Sequence, residues 1–237
     1  MIIYKVVNCN ALTIREKPSK TSKAVGYLKA GDLIEVDRDY KKNVNGTIWY
    51  KMTKGYVSSK YLERYATAKE FLDHVKKYNA YIKSNNKYFS RTEGKSATTF
   101  DSAVKLVKQK KIVQINCTTA INWAFREMDL TTATLWADKG KYKNFKGDLT
   151  KHMKSITKGG PVGLTVKAAI SAGLLKQCDI ICVEGLTHSF TYSGNGGYMY
   201  DGGSAAASKS YKDGIYIDYS KNSYKDKKIS QILRFNH

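Results

Sequence analysis

The sequence predicts an α+β chain in which a small all-β barrel precedes a larger domain of helices followed by an antiparallel sheet. Three observations carry that expectation. Short apolar runs broken by turn signals occupy the first 63 residues, helical periodicity takes over near Ala66, and short strand-like runs return from Asp179 onward. The expected division is 1–63 for the barrel, 64–68 for a short linker and 69–237 for the second domain.

Within the barrel, strands are expected at IIYKVV, LTIR, AVGYL, LIEVDRDY, TIWYKM and GYVS, separated by EKPSKTS, KAGD, NVNG and TKG. No pair of titratable groups in this stretch suggests chemistry. Tyr27, Tyr40, Trp49, Tyr50 and Tyr56 supply aromatic surface that suits a ligand or a core, so the barrel reads as a binding module. The second domain opens at Thr67, which forms a T-x-x-E capping box with Glu70, and Phe71, Leu72, Val75, Tyr78 and Ile82 then recur at helical spacing. Further helices are expected at TFDSAVKLVKQ, CTTAINWAFREM and VGLTVKAAISAGLL, the last relaxed by Gly173. Strands follow at DIICVEG, HSFTYSG, GYMYDGG and GIYIDYS.

Bulk properties narrow the function classes. No apolar run approaches the roughly 18 residues of a transmembrane helix, and MIIYKVVNCN lacks the basic-then-apolar pattern of a signal peptide. The net charge is +21, with 12 basic and 6 acidic side chains in the first 63 residues and 29 and 14 in the rest. Such a field concentrates polyanions: nucleic acid, anionic lipid or the teichoic-acid-rich wall of a Gram-positive bacterium. The lysines are scattered and no nucleic-acid-binding motif is present, so nucleic acid is not the expected partner. Cys9, Cys117, Cys178 and Cys182 are too few for a disulfide framework, and CDIIC, read as a strand with both thiols on one face, lacks a second ligand pair for zinc. Neither a metal nor a cofactor is expected.

The chemistry centres on Cys117, at the point where an apolar run gives way to an amphipathic helix. Position alone leaves three readings open: a core residue, a redox thiol or a nucleophile. Free N–H groups and the positive end of the helix dipole favour thiolate over thiol at such a site, and the same N–H groups can stabilise an oxyanion. A nucleophile needs a base. Of four histidines, His74 lies within the first long helix, His152 in the lysine-rich LTKHMKS and His237 at the last position, whereas His188 opens a strand directly after DIICVEG. An imidazole there can pair with a thiolate at a helix start. A third group should orient it, and Asp201 at the end of the neighbouring strand is the candidate, with a turn role before Gly202 and Gly203 as its alternative. Asn195 in SGNGG is a rival that reads better as a turn former, and Gln114 is a candidate second oxyanion donor beside the Cys117 N–H.

Two resemblances sharpen this. Residues 3–63, through ALTIREKPSKTSKAVGYLKAGDLIEV and WYKMTKGYVSSKYL, resemble bacterial SH3 domains, which implies an SH3-like barrel that docks on peptidoglycan or its cross-bridges, although Glu16 and Lys17 stand where small residues are common. Residues 85–205, through NCTTAINWAF, LKQCDIICVEGLTHSFTYSGNG and GYMYDGG, resemble the papain-like cysteine peptidases of the NlpC-like and related amidase families. That resemblance implies Cys117 as nucleophile, His188 as general base and acid, and Asp201 as the residue that orients His188. It departs from the family pattern at Asn116 and Thr118, which replace an acidic residue and a serine, and at Cys178, where glycine is common. Together the two similarities imply a phage-endolysin-like peptidoglycan hydrolase. It would be made in the cytoplasm, reach a Gram-positive wall after holin-type release, and cleave a stem-peptide amide through a thioester. Two alternatives stand beside it: a transpeptidase using the same triad, and a basic wall-associated or nucleic-acid-associated binding protein in which Cys117 is structural.

Overall fold

The computed structural model describes residues 2–37, 39–205 and 211–237. Contacts divide the chain into two compact units, Met1–Ala66 and Thr67–His237. The fold is mixed α+β with several sheets.

The first unit contains β1 (Ile2–Val6), β2 (Ala11–Arg15), β3 (Ala24–Lys29), β4 (Leu33–Val36), β5 (Lys41–Val44), β6 (Thr47–Met52), β7 (Gly55–Ser58) and β8 (Leu62–Arg64). They pair as a three-stranded sheet β4-β1-β8 and a five-stranded sheet β3-β2-β7-β6-β5. Strand alternation fills the interior between them: Leu12 and Ile14 of β2, Tyr50 of β6 and Val57 of β7 bury against Ile2, Tyr4, Val6, Ile34 and Val36. Two elements differ from expectation. LIEVDRDY is a strand only to Val36, and the unpredicted β5 forms a hairpin with β6 through Asn45 and Gly46. Both turn residues have positive φ, 50° and 77°, the requirement of a two-residue hairpin turn, which explains why Asn-Gly stands there.

The second unit opens with α1 (Ala68–Ser84), where the Thr67 hydroxyl accepts from the Glu70 N–H at 3.1 Å and the buried residues are Phe71, Leu72, Val75, Tyr78 and Ile82. Next come β9 (Phe89–Ser90), β10 (Lys95–Ser96), α2 (Phe100–Lys108) with a Thr99/Ser102 capping box, β11 (Val113–Gln114) and α3 (Thr119–Glu127). Tyr78 bridges the three helices, its ring 4.4 Å from Phe100 and 5.8 Å from Trp123. After the hairpin β12 (Trp136–Asp138) and β13 (Lys141–Lys143) come α4 (Asp148–His152), β14 (Met153–Ile156), α5 (Val166–Ser171), β15 (Ile180–Val183), β16 (Ser189–Tyr192), β17 (Tyr198–Tyr200), α6 (Gly202–Ala205), β18 (Tyr216–Asp218) and β19 (Ile229–Phe235). The main sheet is antiparallel, in the order β14-β19-β15-β16-β17-β18. Among the described residues no helix is long and apolar enough to cross a membrane.

Three sequence expectations are corrected here. A small parallel sheet of β10, β11 and β9 interrupts the helical half, and β14 and β19 join the main sheet although neither was predicted. The helix expected from Val162 begins only at Val166, after the Thr165 cap, because Gly163 has φ +90°. Cys178 and Cys182 are not two residues of one strand: Cys182 lies in β15, while Cys178 sits in the preceding turn with φ +69° and its thiol donates to the Ala68 carbonyl at 3.2 Å. Glycine adopts this left-handed conformation most readily, and Cys178 holds it here in its place. Burial pushes both thiols up to about 12, so they are neutral at physiological pH.

A buried ion pair ties the sheet to the loop that enters β15. Arg234 of β19 donates through Nε to Asp179 Oδ1 at 2.6 Å and through Nη2 to Oδ2 at 2.5 Å, with Asp179 fully buried. Truncating Arg234→Ala strands that carboxylate, and a loss of about 3–5 kcal/mol is expected. Denaturant unfolding at pH 7 measures it; a change below about 1 kcal/mol would mean that the pair contributes little.

Candidate active site

Asn116 organises the turn that carries Cys117. Its Oδ1 accepts from the Thr118 N–H (3.0 Å), the Thr118 hydroxyl (3.1 Å) and the Thr119 hydroxyl (3.0 Å), while its own N–H donates to Thr119 Oγ1 at 2.9 Å. Asn and Thr side chains favour such local turns. Cys117 therefore lies just ahead of α3, whose first residue is Thr119, rather than within the helix. Asn122 braces the next turn through Thr118 O and both backbone groups of Leu135. The Cys117 side chain is half-buried, and its backbone N–H donates to no group among the described residues.

The sheet brings His188 and Asp201 together from the ends of adjacent strands. His188 Nε2 lies 2.8 Å from Asp201 Oδ2; His188 is 7% exposed and Asp201 fully buried. With Nε2 committed to Asp201, Nδ1 is the ring nitrogen left for Cys117, whose side chain is close enough to favour the charged ring. Burial opposes a charged ring, but the Asp201 carboxylate and then Cys117 outweigh it and raise His188 to about 9. At neutral pH the ring is an imidazolium beside the Cys117 sulfur, the arrangement in which a cysteine nucleophile is paired with its proton donor.

Asp201 is held from three sides. Its Oδ1 accepts from the Gly203 N–H at 2.8 Å, and its Oδ2 accepts from the Tyr219 hydroxyl at 2.7 Å as well as facing His188. The same carboxylate thus closes the turn before Gly203 and contacts the His188 ring. Tyr219 is 1% exposed, and Tyr224 stacks on the imidazole with ring centroids 4.0 Å apart and planes 21° from parallel. Neither tyrosine was singled out from the sequence. Among 18 tyrosines no local pattern distinguishes them, since both reach His188 only through the fold.

Close approach excludes a side chain at Gly202 and leaves little room for one at Gly203. A Cβ on Gly202 would stand 2.6 Å from the Asn116 carbonyl oxygen. One on Gly203 would stand 3.1 Å from Cys117 Cβ and 3.3 Å from both Cys117 N and Asp201 Oδ1. Gly203 thus leaves open the face of the Cys117 N–H, where an oxyanion would bind. Gly203→Ala is expected to lower kcat about 100-fold, because a small displacement of reacting groups has that effect, while the melting temperature changes little. Steady-state kinetics and a thermal melt together check this; undiminished kcat would show that the space is not used.

The other sequence candidates lie elsewhere. Asn195 is exposed in the β16–β17 turn, its N–H donating to Ser193 Oγ and its amide to the Tyr216 hydroxyl. Gln114 directs its amide to the Arg91 carbonyl at 3.1 Å. His74 pairs with buried Glu127 at 3.0 Å, and His152 closes α4. Among the described residues no cluster of three or more His, Cys, Asp or Glu side chains is placed to hold a metal. A cavity of about 330 Å³ adjoins the Cys117 turn, bounded by Gln114, Asn116, Thr118, Thr119 and Asn122.

Residues 10–63 match the bacterial SH3 domain family. Two solved structures align with 99% of the chain. NlpC2 from Trichomonas vaginalis is 16% identical with a TM-score of 0.43 over 72% of its length, and NlpC1 from the same organism is 15% identical with a TM-score of 0.40 over 69%. No curated protein sequence matches the chain.

Proposed function

We propose that this chain is a peptidoglycan hydrolase of the endolysin type, in which residues 1–63 hold a Gram-positive wall and residues 69–237, a papain-like, NlpC-like cysteine peptidase or amidase domain, cut an amide of the stem peptide. The observation that carries the reading is the buried His188–Asp201 pair facing a turn-borne cysteine, in a chain whose first unit matches the bacterial SH3 domain family.

The Cys117 thiolate attacks the amide carbonyl, and the resulting oxyanion is taken by the open Cys117 N–H. As the tetrahedral species collapses, the C–N bond breaks and the imidazolium of His188 gives its proton to the leaving amine, leaving a thioester and a neutral ring. Water then enters; His188 removes its proton, the hydroxide adds to the thioester, and the thiolate departs to restore the starting pair. Asp201 keeps Nε2–H engaged throughout, so that Nδ1 faces the reacting atoms. The excess of basic residues in both parts of the chain complements anionic wall polymers. Mass spectrometry of purified Gram-positive walls digested by the parent and by Cys117→Ala tests the proposal: new amine and carboxylate termini should appear with the parent alone. New cross-links in place of new termini would make the enzyme a transpeptidase.

A further inference from the structure

The face of the five-stranded sheet turned away from the barrel interior holds a cavity of about 360 Å³. Leu12, Ile14, Tyr50 and Val57 point into the core, so the alternate residues Thr13 and Arg15 of β2, Thr47 and Trp49 of β6 and Ser58 of β7 occupy the opposite face, where they line this cavity. Trp49 is 3% exposed although it lies outside the apolar core cluster. Its indole N–H has no partner among the described residues, in contrast to Trp123, whose N–H donates to Ala97 O. The N–H is open to the cavity rather than sealed in the core, so it is a donor that an acceptor entering from outside can engage.

The lining also holds Cys9, Ala11, Leu12 and Tyr61, and its charged members are all basic. Arg15, Lys20 and Lys60 contribute three cations, and among the described residues no carboxylate lines the cavity. The Thr13 and Thr47 hydroxyls make no hydrogen bond within the described residues. Arg15 Nη1 is tethered to the Ser22 carbonyl at 2.7 Å, which orients the guanidinium and leaves other donors of its planar fork available. A set of fixed donors and cations with no anion suits a planar anionic group, and the volume lies at the small end of ligand pockets.

We propose that this cavity binds the free carboxylate end of a short peptide, of the kind that terminates a wall stem peptide. The proposal deepens the wall-binding reading of the first unit and rests on it. The site would recognise peptide ends rather than the neutral middle of a cross-bridge.

Full-length protein carrying Cys117→Ala, so that no probe is consumed, is titrated with a fluorescent stem tetrapeptide bearing a free C-terminal carboxylate. The same peptide amidated at its C-terminus and poly(glycerol phosphate) serve as comparison arms. Expected are saturable binding of the free acid, at least tenfold weaker binding of the amide, and a tenfold or greater rise in Kd with Arg15→Gln. Trp49→Phe, which keeps the ring and removes the donor, is expected to raise Kd severalfold with an unchanged near-ultraviolet circular dichroism spectrum. Equal affinity for acid and amide, or parent-like binding by a folded Arg15→Gln variant, would overturn the proposal. Preference for poly(glycerol phosphate), lost on Arg15→Gln, would reassign the cavity to a phosphodiester and also overturn it. Cleavage of a soluble muropeptide by the parent chain is scored separately from peptide binding, so failure of the binding site and failure of the hydrolase reading give different results.

Discussion

Replacing Cys117 with alanine is expected to reduce wall cleavage by about 10⁴-fold or more. The size of the effect follows from covalent catalysis: without the sulfur no thioester forms, and the imidazolium of His188 has no attacking partner to serve. The surrounding fold should be unaffected, because the turn is held by Asn116, Thr118 and Thr119 rather than by the half-buried thiol. Release of new termini from purified walls, alongside a thermal melt, measures both. If a folded Cys117→Ala variant cleaves at the parent rate, the cysteine is structural and other residues carry the cleavage; if the parent itself releases no new termini, the chain is a binding protein.

The second large effect belongs to Asp201→Asn. Both oxygens of Asp201 accept hydrogen bonds, one from Gly203 N–H and the other from Tyr219 with His188 beside it. An amide must turn its NH₂ either toward Gly203 or toward the ring, and each choice opposes a donor to a donor. A fall of about 10²–10⁴ in kcat/KM is expected, by analogy with the loss of tautomer control in other triads. A pH profile separates this from a merely structural defect. The parent should show an alkaline limb at about 9, where His188 loses its proton; without the carboxylate that raises it, the limb should move toward the ordinary histidine value of about 6.5. A limb that stays near 9 in the variant would show that another group sets the imidazole.

The same shift makes stability depend on pH. Because the folded pKa of His188 is raised above its unfolded value, its contribution is complete below about 6.5 and is lost as pH rises through about 9. Within that window the protein should therefore weaken as the solution becomes more alkaline.

Local pattern made part of this molecule legible. The five apolar positions of α1 named from periodicity are its five buried residues, and Asn45-Gly46 marked a tight turn. Both depend on neighbours a few residues apart, where spacing and backbone preference suffice. In the second unit the reading missed the longest strand. β19, flanked by β14 and β15 and buried at five of its seven positions, shows no alternation and was missed. The departures at Asn116 and Cys178 were visible, but their reasons were not: one builds a turn, and the other occupies a left-handed conformation.

The candidate site divides in the same way. From sequence alone came the chemical types and their order, a cysteine before a helix, a histidine at a strand start and an aspartate at the end of the next strand. Tertiary structure decided which atoms meet. Sheet pairing brings Asp201 to Nε2 of His188 across 13 residues, and Tyr219 reaches the same carboxylate from the segment after β18. Close packing of Gly202 and Gly203 on the Asn116–Cys117 turn sets the space above the Cys117 N–H. Periodicity reports which face of an element is buried; the partner that buries it is chosen by register and packing between segments distant in sequence.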